Sequence, residues 1–116
     1  MAKKVLVIDD EESIVFMISE VLSDLGHEVA GAVTPEEGLE RFEETDFDLV
    51  LVDIMMPGMN GYELTDTLLS RDPDAKILVN TGYPDDPLVQ KALDRGAIGI
   101  VRKPFEIDKI FDYLKD

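Results

Sequence analysis

The stretch Asp-Leu-Val-Leu-Val-Asp-Ile-Met-Met-Pro-Gly-Met-Asn-Gly, residues 48 to 61, decides the fold. Its apolar run, Leu49 to Val52, is typical of a central strand of a parallel sheet, buried on both faces. The run ends on a carboxylate, Asp53, where open α/β sheets place their functional sites. Aspartate is also a favoured helix N-cap, so Asp53 could simply begin a helix. Asn60, with Glu63 three residues later, is the better cap, which leaves Asp53 for another role.

The composition predicts one soluble globular domain spanning all 116 residues. Its 45% hydrophobic and 32% charged residues separate it from disordered chains. No apolar run reaches the length of a membrane span, and the absence of cysteine excludes disulfides and thiolate metal sites. The short apolar run near the N-terminus stops at two aspartates, unlike a signal peptide. We therefore expect a cytoplasmic protein.

The net charge of −15 argues against two classes of partner. An acidic surface repels nucleic acid and anionic lipid, so we expect no direct contact with nucleic acid or membrane. Six of the eleven basic residues nevertheless fall in the last 26 positions: Lys91, Arg95, Arg102, Lys103, Lys109 and Lys115. This asymmetry indicates a separate binding task for the C-terminal third of the chain.

Strand and helix patterns alternate five times along the chain. Besides the central run, strands are predicted at residues 4–8, 27–32, 76–80 and 97–101. Helices are predicted at residues 13–25, from the Thr34 cap onward, at 61–71, from Pro87 to Gly96, and over a closing segment at 107–114. The first helix has an apolar face of Ile14, Ile18, Val21, Leu22 and Leu25. Crossovers of this length permit parallel pairing, so the fold class is α/β, doubly wound.

Polar side chains follow four of the predicted strands. They are Asp9 and Asp10 after the first, Asp53 after the third, Thr81 after the fourth and Lys103 after the fifth. The carboxyl ends of parallel strands meet at one edge of the sheet. Crowded carboxylates raise one another's pKa unless a cation compensates them, and oxygen-only ligands favour Mg²⁺. Either Asp9 or Asp10 could instead cap the first helix, and the pair alone is a weak signal.

Four motifs together resemble the receiver domains of two-component response regulators, of the single-domain, CheY-like kind. They are Val-Ile-Asp-Asp-Glu-Glu (7–12), Leu-Val-Asp-Ile-Met-Met-Pro-Gly-Met-Asn-Gly (51–61), Asn-Thr-Gly (80–82) and Lys-Pro-Phe (103–105). The resemblance covers the whole chain. It implies a five-stranded parallel sheet in the order 2-1-3-4-5 with five helices, the flavodoxin/CheY-like arrangement.

The resemblance also implies a chemistry for the strand-end residues. Asp53 would accept a phosphoryl group from a phosphohistidine on a sensor histidine kinase or a histidine phosphotransfer protein. Mg²⁺ would be held by Asp9, Asp10, Asp53 and the backbone carbonyl of Met55. Lys103 would pair with Asp53 at rest and with a phosphoryl oxygen afterwards, and Thr81 would donate its hydroxyl to another. The bond between Lys103 and Pro104 resembles the family's cis peptide.

Such a protein is a signalling phosphoacceptor and not an enzyme with a separate substrate, because it promotes only its own phosphorylation and dephosphorylation. Phosphorylation would shift the face formed by the fourth helix, fifth strand and fifth helix towards an active state that binds a downstream protein. The basic residues of the C-terminal third fall in this region. The chain would act as a monomer or as a phosphorylation-linked dimer.

Three residues depart from the family's usual pattern. Ile100 occupies a switch position that is usually aromatic, which leaves open an interaction module that works without phosphorylation. Met55 and Tyr83 flank the expected phosphoryl site and could obstruct the attacking water. A phosphatase of the haloacid dehalogenase type also uses a strand-end aspartate. That mechanism needs a second acid two positions later, where this chain has Met55, and the site lacks a general acid.

Overall fold

Five short strands form one parallel sheet in the structure, a computed structural model that describes residues 2–103 and 106–115. The strands are β1 (Lys4–Ile8), β2 (Glu28–Ala32), β3 (Leu49–Asp53), β4 (Ile77–Thr81) and β5 (Gly99–Arg102). Their order across the sheet is β2-β1-β3-β4-β5. The helices between and after them are α1 (Glu12–Asp24), α2 (Pro35–Glu44), α3 (Gly61–Arg71), α4 (Pro87–Arg95) and α5 (Ile107–Leu114). The predicted fold class and strand order are confirmed.

Helices cover both faces of the sheet, which is why the strands are almost wholly apolar. On one face, Val5, Val7, Leu49, Leu51, Leu78 and Val101 pack with Ile18 and Leu22 of α1 and with Ile110 and Leu114 of α5. On the other, Leu6, Ile8, Val50, Val52, Ile77 and Val79 pack with Leu64 and Leu68 of α3 and with Val89 and Ala92 of α4. Each large side chain buried in this way contributes about 1.5–3 kcal/mol to stability.

The predicted helix starts are confirmed at α2 and α3. The side chain of Asn60 accepts a hydrogen bond from the backbone N–H of Glu63, whose carboxylate accepts one from the backbone N–H of Asn60. At α2, the hydroxyl of Thr34 accepts from the N–H of Glu37 in the same way. The Glu37 carboxylate reaches one residue further back, to the N–H of Val33 at 2.9 Å. Both helices therefore have capped N-termini, and Asp53 caps neither of them.

Some predicted boundaries and one buried position are wrong. β2 begins one residue late, β4 is shifted by one residue, and β5 lies one to two residues later than predicted. Leu25 was predicted to face the core, yet α1 ends at Asp24 and the Leu25 side chain is 56% exposed. The chain turns sharply here because Gly26 adopts a positive φ of 91°, which an L side chain rarely allows. The turn directs Leu25 away from the core.

Among residues 2–103 and 106–115, no helix combines the length and apolar character needed to cross a bilayer.

Candidate functional site

The alternation of side chains along the strands places the polar residues together. In β1, β3 and β4, the face occupied by Val7, Leu51 and Leu78 is continued two residues later by Asp9, Asp53 and Asn80. After Val101 of β5, the same two-residue step leads to Lys103. The sheet therefore delivers three of the predicted strand-end residues, Asp9, Asp53 and Lys103, and one unpredicted residue, Asn80, to the same edge.

The ammonium group of Lys103 lies among three carboxylates. Its Nζ is 3.2 Å from Oδ2 of Asp9, 3.3 Å from Oδ2 of Asp53 and 3.6 Å from Oε1 of Glu11. The side chains of Asp9 and Asp53 are 1% and 4% exposed, whereas that of Glu11 is 59% exposed. Removing one partner of a buried ion pair is strongly destabilising, while exposed pairs contribute about 1 kcal/mol or less. The contacts with Asp9 and Asp53 therefore dominate the cluster.

Burial makes the two inner carboxylates reluctant to ionise. It raises the pKa of Asp53 to about 7, and the nearby Asp9 carboxylate adds to this, although the Lys103 ammonium and the Met55 N–H oppose it. Burial also raises the pKa of Asp9, against the opposing effects of the Glu11 N–H and Lys103. Burial alone would lower the pKa of Lys103, but the Asp53 and Asp9 carboxylates raise it. One lysine thus leaves the acidic cluster short of positive charge.

The same edge has the donor set of a hard-cation site. Asp9, Asp10 and Asp53 each offer a carboxylate oxygen, and these atoms lie within 4.8 Å of one another. Asp10 is exposed, so a cation could keep waters on that side. All of these ligands are oxygens, which suits Mg²⁺ better than a transition metal. The residues present therefore fit the cation that the sequence predicts.

The turn after β3 contacts both the carboxylate and the backbone of Asp53. The N–H of Met55 donates to Oδ1 of Asp53 at 3.3 Å, and the N–H of Gly61 donates to the carbonyl of Ile54 at 3.0 Å. A Cβ on Gly61 would lie 2.5 Å from both the Asp53 carbonyl oxygen and the Ile54 Cα. Only glycine permits this approach, so the first residue of α3 packs directly against the strand end that carries Asp53.

Thr81 ends β4, and the predicted flanking residues Met55 and Tyr83 each follow a strand end by two positions. Thr81 is fully buried, and its hydroxyl oxygen accepts a hydrogen bond from the Tyr83 N–H at 2.8 Å. Among the described residues its hydroxyl makes no hydrogen bond to Asp53. The side chains of Met55 and Tyr83 are 49% and 68% exposed and border one shallow cleft. Their exposed apolar surface lies outside the core, on the segments that directly follow Asp53 and Thr81.

The remaining predicted residues lie elsewhere or outside the described part of the chain. Ile100 is partly buried and packs against the core between the sheet and α3 and α4. The predicted cis peptide at Pro104 lies outside the described residues. His27, the one histidine in the sequence, carries no predicted role in the site; its Nδ1 accepts a hydrogen bond from the N–H of Lys3 at 3.0 Å, away from the strand-end cluster.

Most of the basic residues in the C-terminal third have partners within that region or nearby. Arg95 pairs with Asp66 at 2.6 Å, Lys109 with Glu106 at 3.3 Å and Lys115 with Asp112 at 3.1 Å. The ammonium of Lys91 lies 5.8 Å from the centre of the Tyr62 ring. Local partners therefore offset much of the positive charge that the sequence concentrates here.

Two residues of the cluster were missed as site residues. Asn80 was noted only as part of the Asn-Thr-Gly motif, yet its amide Nδ2 donates to Oδ2 of Asp9 at 3.4 Å. Its place two residues after Leu78, on the strand next to Asp53, was the signal that could have identified it. Glu11 belongs to the motif at residues 7–12, but the sequence predicts no role for it in the site. Its contact with Lys103 depends on the fold of the start of α1 and has no sequence signal.

Known proteins are similar to this chain in both sequence and fold. The family model of the response regulator receiver domain matches residues 5–115. The chemotaxis protein CheY of Thermotoga maritima is 34% identical over 115 residues, covering 98% of this chain and 96% of that protein. Sporulation initiation phosphotransferase F of Bacillus subtilis is 30% identical, covering 99% of this chain and 93% of that protein.

A solved structure agrees with these sequence relatives. The Vibrio cholerae chemotaxis protein CheY4 matches with a TM-score of 0.90 and 31% identity, covering 98% of this chain and 97% of that one. The match extends over the whole sheet and its helices, including the edge where Asp9, Asp53 and Lys103 meet. The chain therefore belongs to the response regulator receiver domain family.

Proposed function

We propose that the protein is a phosphoacceptor whose Asp53 takes a phosphoryl group from a sensor histidine kinase or a histidine phosphotransfer protein in a Mg²⁺-dependent reaction. The observation that carries this proposal is the meeting of two buried carboxylates, Asp9 and Asp53, with the single ammonium of Lys103. A cluster so poor in positive charge favours a bound dication and, with it, the phosphoryl group.

The cation would be held by Asp9, Asp10, Asp53 and the backbone carbonyl of Met55. When bound, Mg²⁺ would offset the negative charge of the carboxylates and of the incoming phosphoryl group. Asp53 would be the nucleophile, because its carboxylate ends β3, contacts the Lys103 ammonium and lies among the candidate ligands of the cation. The carboxylate oxygen attacks phosphorus, the P–N bond of the phosphohistidine breaks, and the electron pair returns to the imidazole nitrogen. That nitrogen then takes a proton from solvent.

Lys103 and Thr81 respond to the new charge. Lys103 already touches Asp53, so it needs only a short movement to pair with a phosphoryl oxygen as a point charge. The Thr81 hydroxyl can donate its proton to another phosphoryl oxygen, since within the described part of the chain its oxygen is engaged only as an acceptor from the Tyr83 N–H. Movement of Thr81 would shift the segment after β4, and with it the face formed by α4, β5 and α5, towards a state that binds a downstream protein.

A second candidate function rests on Ile100. In the structure Ile100 is already packed against the core, so this position has no aromatic ring that could swing inward on activation. A receiver fold that binds its partner without phosphorylation would need no such movement.

Intact-mass spectrometry separates the two functions. The full chain is incubated with acetyl phosphate and MgCl₂, with matched samples in EDTA and with Asp53→Asn. We expect one phosphoryl adduct in the wild-type chain with Mg²⁺ and none in either control. No adduct under any condition would favour the phosphorylation-independent module. Turnover of many equivalents of a phosphoester would instead favour a phosphatase.

A further inference from the structure

Asn80 is a buried amide at the carboxyl end of β4, beside the acidic cluster. It is 2% exposed and lies between Val79 and Thr81. Its Cα pairs with that of Asp53 on the neighbouring strand, so the two side chains project from the same face of the sheet. A buried polar side chain lowers stability unless its hydrogen bonds are made.

Among residues 2–103 and 106–115, only the Nδ2 atom of the Asn80 amide has a hydrogen-bond partner. Nδ2 donates to Oδ2 of Asp9 at 3.4 Å, and Asp9 is itself 1% exposed. This orientation follows from charge, because the amide oxygen would be repelled by the carboxylate. The buried Oδ1 of Asn80 has no hydrogen-bond partner among the described residues. Most buried polar atoms in proteins are paired, so an unpaired amide oxygen beside a cluster of carboxylates calls for a ligand.

The two oxygens of Asp9 are held by different groups. Oδ1 accepts from the backbone N–H of Glu11 at 2.9 Å, which fixes one side of the carboxylate. Oδ2 is shared between Asn80 and the Lys103 ammonium, which is 3.2 Å away. If Lys103 moves to a phosphoryl oxygen, the Asn80 amide is the side-chain donor that stays with Asp9. Asn80 can therefore hold the carboxylate in place throughout the reaction.

We propose that Asn80 is a positioning residue for the cation site: its Nδ2 orients Asp9, and its free Oδ1 accepts a hydrogen bond from a water of the hydrated cation. This rests on the proposed function, in which Asp9 binds Mg²⁺. Mg²⁺ usually keeps several of its waters in protein sites, and such waters need acceptors. Groups that hydrogen-bond to metal ligands change metal affinity by about 10- to 100-fold when they are removed.

The test compares Mg²⁺ affinity with stability in the absence of the cation. Asn80→Leu, which has nearly the same shape but no amide, and Asn80→Ala are titrated with MgCl₂ by isothermal titration calorimetry. We expect the Kd for Mg²⁺ to rise about tenfold or more in both variants. In EDTA, the urea midpoint of Asn80→Leu should equal or exceed that of the wild-type chain, because removal of the buried, unpaired Oδ1 offsets the loss of one long hydrogen bond to Asp9 at 3.4 Å. Val79→Ala, on the opposite face of the same strand, is the control and should lower the midpoint without changing the Kd.

The outcomes distinguish this inference from the proposed function. If the wild-type chain binds no Mg²⁺, the cation site itself is absent and both proposals fail. If the wild-type chain binds Mg²⁺ and both Asn80 variants bind it with the same Kd, only the role of Asn80 is overturned. A weaker Kd accompanied by a lowered urea midpoint in Asn80→Leu would also overturn it, since Asn80 would then be merely structural.

Discussion

Replacing Asp53 by its neutral isostere should stabilise the folded chain. Burial raises the pKa of Asp53 from 3.8 to about 7, so the folded state resists its ionisation. Between about pH 4 and pH 7 the folded chain holds a proton that the unfolded chain has released. Stability therefore falls as pH rises through this window and is constant above it. Asp53→Asn avoids the loss because its amide is neutral at every pH, and it leaves no unpaired buried charge because Lys103 keeps Asp9 as its partner at 3.2 Å.

The size of the effect follows from the same pKa. The interval from 3.8 to about 7, at about 1.36 kcal/mol for each pH unit, gives a ceiling of about 4 kcal/mol at pH 8. At pH 5 the pH lies only about one unit above 3.8, so the largest expected gain in stability falls to about 2 kcal/mol. Relaxation around the charge and access of water reduce both values, and we expect a gain of about 2–4 kcal/mol at pH 8.

Urea unfolding in EDTA, followed by circular dichroism at pH 8 and pH 5, measures the gain. Asp46→Asn is the matched control, because it removes the same charge from an exposed loop and should change stability by less than about 0.5 kcal/mol. Adding MgCl₂ should stabilise the wild-type chain and narrow its difference from Asp53→Asn. The reasoning is refuted if the free energy of unfolding rises no more in Asp53→Asn than in Asp46→Asn at pH 8. It is also refuted if Asp53→Asn raises the free energy of unfolding equally at pH 8 and pH 5.

Four further substitutions and one control variant probe the surroundings of Asp53. Lys103→Ala should lower the free energy of unfolding at pH 8 in EDTA by about 3 kcal/mol, because two buried carboxylates lose their cation; unchanged urea stability would contradict this. Met55→Asn and Tyr83→Ala should shorten the lifetime of the aspartyl phosphate about tenfold, or about 1.4 kcal/mol of barrier, by opening the site to water. A lifetime equal to wild type, followed by intact mass after removal of the donor, would show that neither side chain obstructs hydrolysis. Gly61→Ala should cost about 2 kcal/mol because its Cβ would meet the backbone at the end of β3. Gly82→Ala, whose Cβ would have its nearest neighbour 3.9 Å away, should stay within about 0.5 kcal/mol of wild type in the same urea assay.

Local signals in the sequence were sufficient for much of the fold. The bounds of α3 and its cap at Asn60 follow from an apolar period and a capping pair that act within one turn of helix. The end of α1 did not follow, because Leu25 fits the apolar period and only the turn at Gly26 directs it outward. Strand ends also depend on pairing: β4 extends to Thr81 because its neighbour β5 continues to Arg102 beside it.

The positions of site residues were predictable where a charged residue directly follows a predicted strand. Asp9, Asp53 and Lys103 meet as expected, because parallel strands end at the same edge. The role of Asn80 was not predicted, since it depends on which face of β4 carries the amide and on the distance across two strands to Asp9. The difference between a buried Asp9 and an exposed Asp10 likewise depends on how the start of α1 packs.

The site of phosphorylation tests the central claim most directly. The full chain is treated with acetyl phosphate and MgCl₂, reduced with borohydride, which converts an aspartyl phosphate to homoserine, and mapped by peptide mass spectrometry. We predict homoserine at position 53 alone, and at no position when EDTA replaces MgCl₂. Homoserine at another aspartate, or at position 53 to the same extent in EDTA, would contradict a Mg²⁺-dependent phosphoacceptor at Asp53.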